Sequence, residues 1–374
     1  MPPTGAETVA VDRAILLATL QTLSPLPYAL GQVIHAATAL TKQRLVIVFF
    51  SRLFNVCPKG RRLSYPQMQA ISHTEENNWN AVQKLLTWAY VQATKAAVDR
   101  GNILMDVTVL LKGLNEDTVF LDGVQKSLAP EMVFRVSGDA IGTPLPISIG
   151  NLRTSYLPYS EEPSHPEVSS ASYTTLFRQQ DADNQPHVPE PEKPGVDHAI
   201  GGASTRPPFY PVVALGGTFD HIHAGHKILL SMGAWIAGWK LIVGVTSDSL
   251  LQKKPHANLI QPISNRIQHV RDFLEMFKPS LEYFITEITD VYGPTGWDAD
   301  IQALVVSKET LKGAGAVAQC RKSKDLPPLE TFVIDVISAT HESLDHEDAE
   351  VLAKSKLSST FIRGWIAESA KELT

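Results

Sequence analysis

The chain has 374 residues, 44% of them hydrophobic and 19% charged, with a formal net charge of −6. That length carries two or three domains and the composition is that of an ordinary globular protein. The acidic balance excludes a globally basic, nucleic-acid-type surface and leaves only a local basic pocket open. Two cysteines, Cys57 and Cys320, stand far apart and outside any CxxC pattern, which argues against a disulfide scaffold and a thiolate metal site.

No run approaches the roughly 18 uncharged apolar residues of a membrane span. The opening "MPPTGAETVAVDRAILLATL" lacks a basic start, and Glu7 and Asp12 precede its apolar run, so it makes a poor signal or transit peptide. The expected location is the cytoplasm, with access to the nucleus left open.

Residues 44–51, "RLVIVFFS", read as a buried strand. The stretch "NNWNAVQKLLTWAYVQATKAAV" reads as a long helix, because Trp79, Val82, Leu85, Leu86, Tyr90 and Ala93 recur at helical spacing. "ILMDVTVLLKG" reads as another strand. Strand, helix, strand predicts a small α/β domain over residues 1–157. It carries no phosphate loop, histidine cluster or telling acidic pair, so a structural, interaction or regulatory role is expected. Residues 158–206, rich in Pro, Ser and acidic side chains, predict a disordered linker.

Residues 207–374 alternate strand and helix patterns. Strand "PVVALGG" precedes helix "GHKILLSMGAWIAG", and strand "KLIVGVT" precedes helix "ISNRIQHVRDFLEMF". Then come strand "LEYFITEIT", helix "DADIQALV" merging into strand "ALVVS", strand "LETFVIDVI" and the closing helix "SSTFIRGWIAESAKEL". This rhythm predicts a parallel, Rossmann-like sheet with helices on both faces. In such a sheet the binding crevice lies beyond the carboxyl ends of the strands.

The first of those ends carries "VVALGGTFDHIHAGHKILL", where three of the chain's 12 histidines crowd together. Gly216 and Gly217 permit a tight turn or a close ligand approach. The stretch is not GxGxxG, and no GxxxxGK[ST] occurs in the chain. A helix starting near Gly225 would aim the amides around Gly225, His226 and Lys227 at the crevice, making an anion site. His223 and His226 could then stabilise charge on transferring phosphoryl oxygens. A zinc site of His221, His223 and His226 is the competing reading, disfavoured by those amides and by Lys227.

"GGTFDHIHAGH" resembles the signature of the HxGH nucleotidyltransferase superfamily. With "GVTSDSLLQKK", "QPISNRIQHVRDFL", "VYGPTGWD", "VVSKET" and "KLSSTFIR" in order, the chain resembles the eukaryotic type of phosphopantetheine adenylyltransferase over roughly residues 210–370. The resemblance implies transfer of the adenylyl group of ATP to 4'-phosphopantetheine, giving dephospho-coenzyme A and pyrophosphate by direct in-line attack. It also implies Mg²⁺ carried with ATP, few protein metal ligands, and coenzyme A pathway enzymes as candidate partners.

By the same resemblance, Thr218 orients the substrate phosphate, His226 meets the charge developing at the α-phosphate, and His223 meets neighbouring ATP phosphates. Of Lys253 and Lys254, Lys253 is slightly preferred as the lysine bridging the reacting phosphates. Ser358, Ser359 and Thr360 are good N-cap residues and resemble a second phosphate-facing helix terminus, to which Arg363 and Lys356 would add charge. Ser307, Glu309, Thr310 and Arg321 resemble the nucleotide side, and Asp290 and Tyr292 the pantetheine side, with Gly293 and Pro294 reading as turn. The chain departs from the human-like pattern at "KGAGAVAQCR", with Ala314 and Ala318, where Lys312 could replace charge. Phe219, Asp220 and His221 read as framework.

Two alternatives stay open: a cytidylyltransferase acting on a phospho-alcohol, and a catalytically silent coenzyme A pathway scaffold. The "KLSSTFIR" close differs from the RTxGIST-type close of cytidylyltransferases. Without a P-loop, fusion to a kinase is not expected.

Overall fold

The computed structural model describes residues 10–55, 79–116, 118–159, 210–334 and 358–372. The expected linker and Lys356 fall largely or wholly outside these residues. The first domain runs β1 (Val11–Thr19), α1 (Ala29–Ala39), β2 (Thr41–Ser51), α2 (Trp79–Val98), β3 (Asp106–Gly113), α3 (Val119–Leu128), β4 (Met132–Val136), a short α4 (Ile147–Gly150) and β5 (Arg153–Leu157). The second runs β6 (Tyr210–Gly217), α5 (Ala224–Ile236), β7 (Ala237–Thr246), α6 (Ile263–Phe277), β8 (Glu282–Ile288), β9 (Ala303–Ser307), α7 (Leu311–Ser323), β10 (Glu330–Ile334) and α8 (Ser359–Glu372).

Among the described residues each domain builds one five-stranded sheet, ordered β3-β2-β1-β4-β5 and β8-β7-β6-β9-β10, with every strand pair parallel. The winding is the same in both, and strand order reverses beside β1 in one and β6 in the other. Such a reversal opens a crevice at the carboxyl ends of the strands. In the first sheet that place is held by Asp139, whose carboxylate accepts the amide of Thr19 at 2.7 Å. A fixed anion there is unsuited to a phosphate. In the second sheet the same place carries the glycines and histidines.

The central strands are continuous apolar runs because they are covered on both faces. Ala14 through Ala18 on β1 and Leu45 through Phe50 on β2 are buried. β1 is the middle of its sheet, although its hydrophobic run reads in the sequence only as an opening stretch. Helices α5 and α6 pack against each other, against β3, and against α2 and α3 respectively, so one helical layer serves both domains. Aromatic pairs close the seam: Phe54 meets Trp235 edge-on at 5.7 Å, and Trp79 meets Phe332 at 4.9 Å. Two lysines, Lys112 buried and Lys278 half-buried, finish the helices. Lys112 Nζ donates to the Phe277 carbonyl at 2.7 Å, and Lys278 Nζ to the Ala234 and Ala237 carbonyls at 3.0 and 2.9 Å. Cations at helix C-termini suit both the orphan carbonyls and the helix dipole.

Two local expectations are corrected. "DADIQALV" does not begin as a helix. Asp300 donates its amide to the Asp298 carboxylate at 2.9 Å, and this side-chain turn competes with helical pairing until β9 begins. Conversely, "KGAGAVAQCR", for which no helix is expected between strands "ALVVS" and "LETFVIDVI", lies within α7. Its glycines hide a regular inward stripe of Ala314, Val317 and Arg321. A Cβ at Gly313 or Gly315 would meet nothing, so both are outward helix positions rather than turns.

Candidate active site

β6 ends in Gly216 and Gly217, and the chain turns through Phe219 and His221, both at positive φ (50° and 43°), before α5 begins. A side chain on either residue strains that conformation, so the loop must be held from outside. Asp220, fully buried, does much of the holding. One oxygen accepts the Gln261 amide at 2.9 Å and the other pairs with the guanidinium of Arg363 on α8. The Asp220 carbonyl accepts the Ser359 hydroxyl at 2.7 Å. His221 takes the Gln261 side chain on its amide at 3.0 Å, and its Nε2 lies 2.9 Å from the Leu259 carbonyl. His221 is thus engaged apart from the other two histidines, and among the described residues no cluster of metal-ligating side chains forms.

His223 is the N-cap of α5 and His226 lies in its first turn, so both stand at a positive helix terminus. Their rings stack with centroids 4.0 Å apart, and Phe219 backs His226 at 5.2 Å. Each Nδ1 is buried and has no hydrogen-bond partner among the described residues. Burial, helped by the nearby Lys227 charge, pushes the His223 imidazole down to about 4. Burial, then His223 and Lys254, hold His226 well below its ordinary value. Both rings are therefore neutral at pH 7 and can donate through one nitrogen each.

Thr218 sits at the mouth of this loop. Its hydroxyl accepts from Lys254 Nζ at 3.2 Å, and burial followed by the Arg363 charge lowers that ammonium. Of the two lysines, Lys254 is the one joined to the loop, through Thr218. Lys227 corrects a sequence expectation. Its Nζ contacts Asp106, Val107 and Thr108 of β3, and its amide donates to the His223 carbonyl at 3.0 Å, so neither group faces the crevice.

The glycines keep the floor tight. A Cβ on Gly217 would come within 3.1 Å of the Phe219 ring. Gly225 is buried inside the first turn of α5. At β9, which neighbours β6, Ser307 and Thr310 cap each other's turn, with the Ser307 amide 3.1 Å from Thr310 Oγ1. Glu309 is exposed there, close enough for its charge to act on Lys254. Ser358 caps α8 by accepting the Phe361 amide at 3.2 Å, and the Ser359 contact brings that helix start against Asp220.

Four expected ligands have other employment. Arg363 is fully buried and is committed to Asp220, the Pro255 carbonyl at 3.1 Å and Thr360 Oγ1 at 3.2 Å. Thr360 is thereby engaged as well. Arg321 is a buried staple, donating to the carbonyls of Pro327, Thr295 and Asp298 at 2.7, 2.7 and 2.9 Å. Asp290 accepts the amides of Tyr292 and Gly293 at 2.8 and 2.7 Å, a turn beyond edge strand β8, while Tyr292 is left partly exposed.

One residue at the loop went unassigned by sequence reasoning. Arg266 of α6 is fully buried and donates to the carbonyls of Thr218 at 2.6 Å, Thr246 at 2.9 Å and Gln261 at 2.9 Å, and pairs with Asp248. Its signal was available: it falls on the inward stripe with Val270, Phe273, Leu274 and Phe277, where an arginine must have partners.

The paired histidines at a helix terminus, beyond the first strand of the second parallel sheet, fall inside residues 214–364, which match the family model described as cytidylyltransferase-like. A phosphopantetheine adenylyltransferase of Saccharomyces cerevisiae is 45% identical over 159 residues, 42% of this chain and 50% of that protein. One of Pyrococcus horikoshii is 40% identical over 34% of this chain and 79% of its own length. One of Pyrobaculum aerophilum is 34% identical over 40% of this chain and 88% of its own length. The chain belongs to the phosphopantetheine adenylyltransferase family. It spans half the length of the yeast relative. Among the described residues no helix is long and apolar enough to cross a membrane.

Proposed function

We propose that the chain transfers the adenylyl group of ATP to 4'-phosphopantetheine, giving dephospho-coenzyme A and pyrophosphate, the penultimate step of coenzyme A synthesis. The observation that carries this reading is the stacked His223–His226 pair at the start of α5, in a chain 40% identical to an archaeal phosphopantetheine adenylyltransferase over most of that protein's length.

The substrate phosphate, oriented by Thr218 and Lys254, attacks the α-phosphorus of ATP while pyrophosphate leaves on the opposite side. The attacking oxygen is already an anion, so no protein base or covalent intermediate is needed, and rate comes from positioning and charge stabilisation. His226 donates to the oxygens of the α-phosphate and His223 to those further along the triphosphate. The amides opening α8, brought near by Ser359, suit the outer phosphates, with Glu309 and Ser307 on the nucleotide side and Tyr292 on the pantetheine side. Mg²⁺ enters on ATP as part of the substrate; the buried carboxylate nearest the histidines, Asp220, is already committed to Arg363 and Gln261. A cytoplasmic location and contact with other coenzyme A pathway enzymes belong to this reading.

The test is pyrophosphate release by the purified full chain across nucleotide and acceptor pairs. Release from Mg-ATP with 4'-phosphopantetheine is expected. Release only from CTP with phosphocholine would replace the reading by the cytidylyltransferase one, and release from no pair would favour a silent scaffold.

A further inference from the structure

Among the described residues the first domain reaches the histidine helix at one charged point. Lys227 follows His226 directly, its side chain is 4% exposed, and all of the acceptors found for its ammonium lie on β3 of the other domain. They are the Asp106 carboxylate, the Val107 carbonyl at 2.7 Å and Thr108 Oγ1 at 3.0 Å. Asp106 is itself oriented by Arg44, its register partner on β2, at 2.8 Å. The Lys227 amide makes the first intrahelical bond of α5, donating to the His223 carbonyl at 3.0 Å. A continuous chain of contacts therefore runs from Arg44 through Asp106 and Lys227 to the backbone of the histidine turn.

We propose that Asp106 is a positioning residue for the adenylyl-transfer site: by clamping Lys227 it lets the first domain hold the opening turn of α5, and with it His223 and His226, in register with the phosphate loop. The inference rests on the proposed reaction. It gives residues 10–159 a task that their own crevice, occupied by Asp139, does not offer. The loop before α5 supplies the reason for a clamp. Phe219 and His221 hold strained positive φ, so the turn relaxes unless fixed at both ends. Asp220 with Arg363 fixes the near end and Asp106 with Lys227 the far end. Burial opposes charge on the Asp106 carboxyl, but Lys227 and Arg44 outweigh it and hold the group ionised.

The experiment compares the full chain with the Asp106→Leu/Lys227→Met double variant, which removes the clamp and leaves unpaired only Arg44, whose side chain is 32% exposed. Asp106→Asn runs alongside, conserving volume. Amide hydrogen exchange and steady-state kinetics are measured on each. In both variants the amides of residues 223–230 should exchange at least about tenfold faster while those of β7 keep wild-type protection. Turnover should fall about tenfold or more, with KM for ATP within about twofold, because misplacement by an ångström acts on the transition state. Wild-type exchange at 223–230, or wild-type kcat with the clamp removed, overturns the proposal. So does protection lost evenly across both sheets, which would mark a merely structural contact. If the wild-type chain itself releases no pyrophosphate, the reaction reading has failed, and the exchange measurement still decides whether the clamp exists.

Discussion

His223 and His226 stack with their ring planes 29° apart, a geometry that two imidazolium ions would resist but two neutral rings accept. The pair is thus uncharged in the free protein, and a triphosphate is the partner whose negative charge favours protons on it. Donation from neutral rings at a helix start leaves the crevice able to bind anions without holding a counter-ion of its own.

Replacing His226 with alanine removes a preorganised donor from the α-phosphate. The expected loss is about 3 kcal/mol in the transition state, or about two orders of magnitude in kcat, with ATP affinity little changed. Turnover near wild type would remove His226 from the reaction.

The two lysines beyond β7 separate cleanly. Lys254→Ala deletes the ammonium beside Thr218 and should reduce kcat/KM about 10- to 100-fold, the range of a charge-assisted hydrogen bond of about 1.5–3 kcal/mol. Lys253→Ala should stay within about twofold, since both lysines are exposed but the Thr218 hydroxyl is met by Lys254. The reverse order of effects would restore Lys253 as the bridging lysine.

Stability should depend on pH through the histidines. His223 titrates near 4 in the folded protein against 6.5 for a free side chain, because burial disfavours its charged form. Between those values the unfolded chain takes up a proton that the folded one refuses. The contribution is complete above 6.5 and is lost as pH falls toward 4, with His226 acting in the same direction. It amounts to about 2 kcal/mol once the partial exposure of the ring is discounted. Urea unfolding at pH 7.5 and pH 4.5 reads it. His223→Gln should lose less stability across that interval than the wild type, and equal losses would show that the ring is not desolvated.

The second domain was legible because its strands are separated by long periodic helices and its first strand ends in an unusual cluster. Its helix over residues 263–277 matches the periodic pattern residue for residue. The pattern failed where short-range bonding competes, as at Asp298 and Asp300, and where glycines stand on an outward helix face, as at Gly313 and Gly315. In the site, loop residues with a nearby helix start were foreseen. The arginines were not: Arg266, Arg321 and Arg363 look like surface charge or phosphate ligands in a linear string, yet each is folded inward onto carbonyls or a carboxylate. Partners that distant in sequence leave no local signature.

The pairing of Asp220 with Arg363 spans 143 positions. At a translation rate of about 5–20 residues per second, Asp220 is synthesised roughly 7–30 s before the arginine that neutralises it. Through that interval the nascent phosphate loop carries an uncompensated carboxylate and two strained residues, and it has no reason to close. The final geometry of the loop is therefore a late event in biogenesis, arriving only when α8 docks.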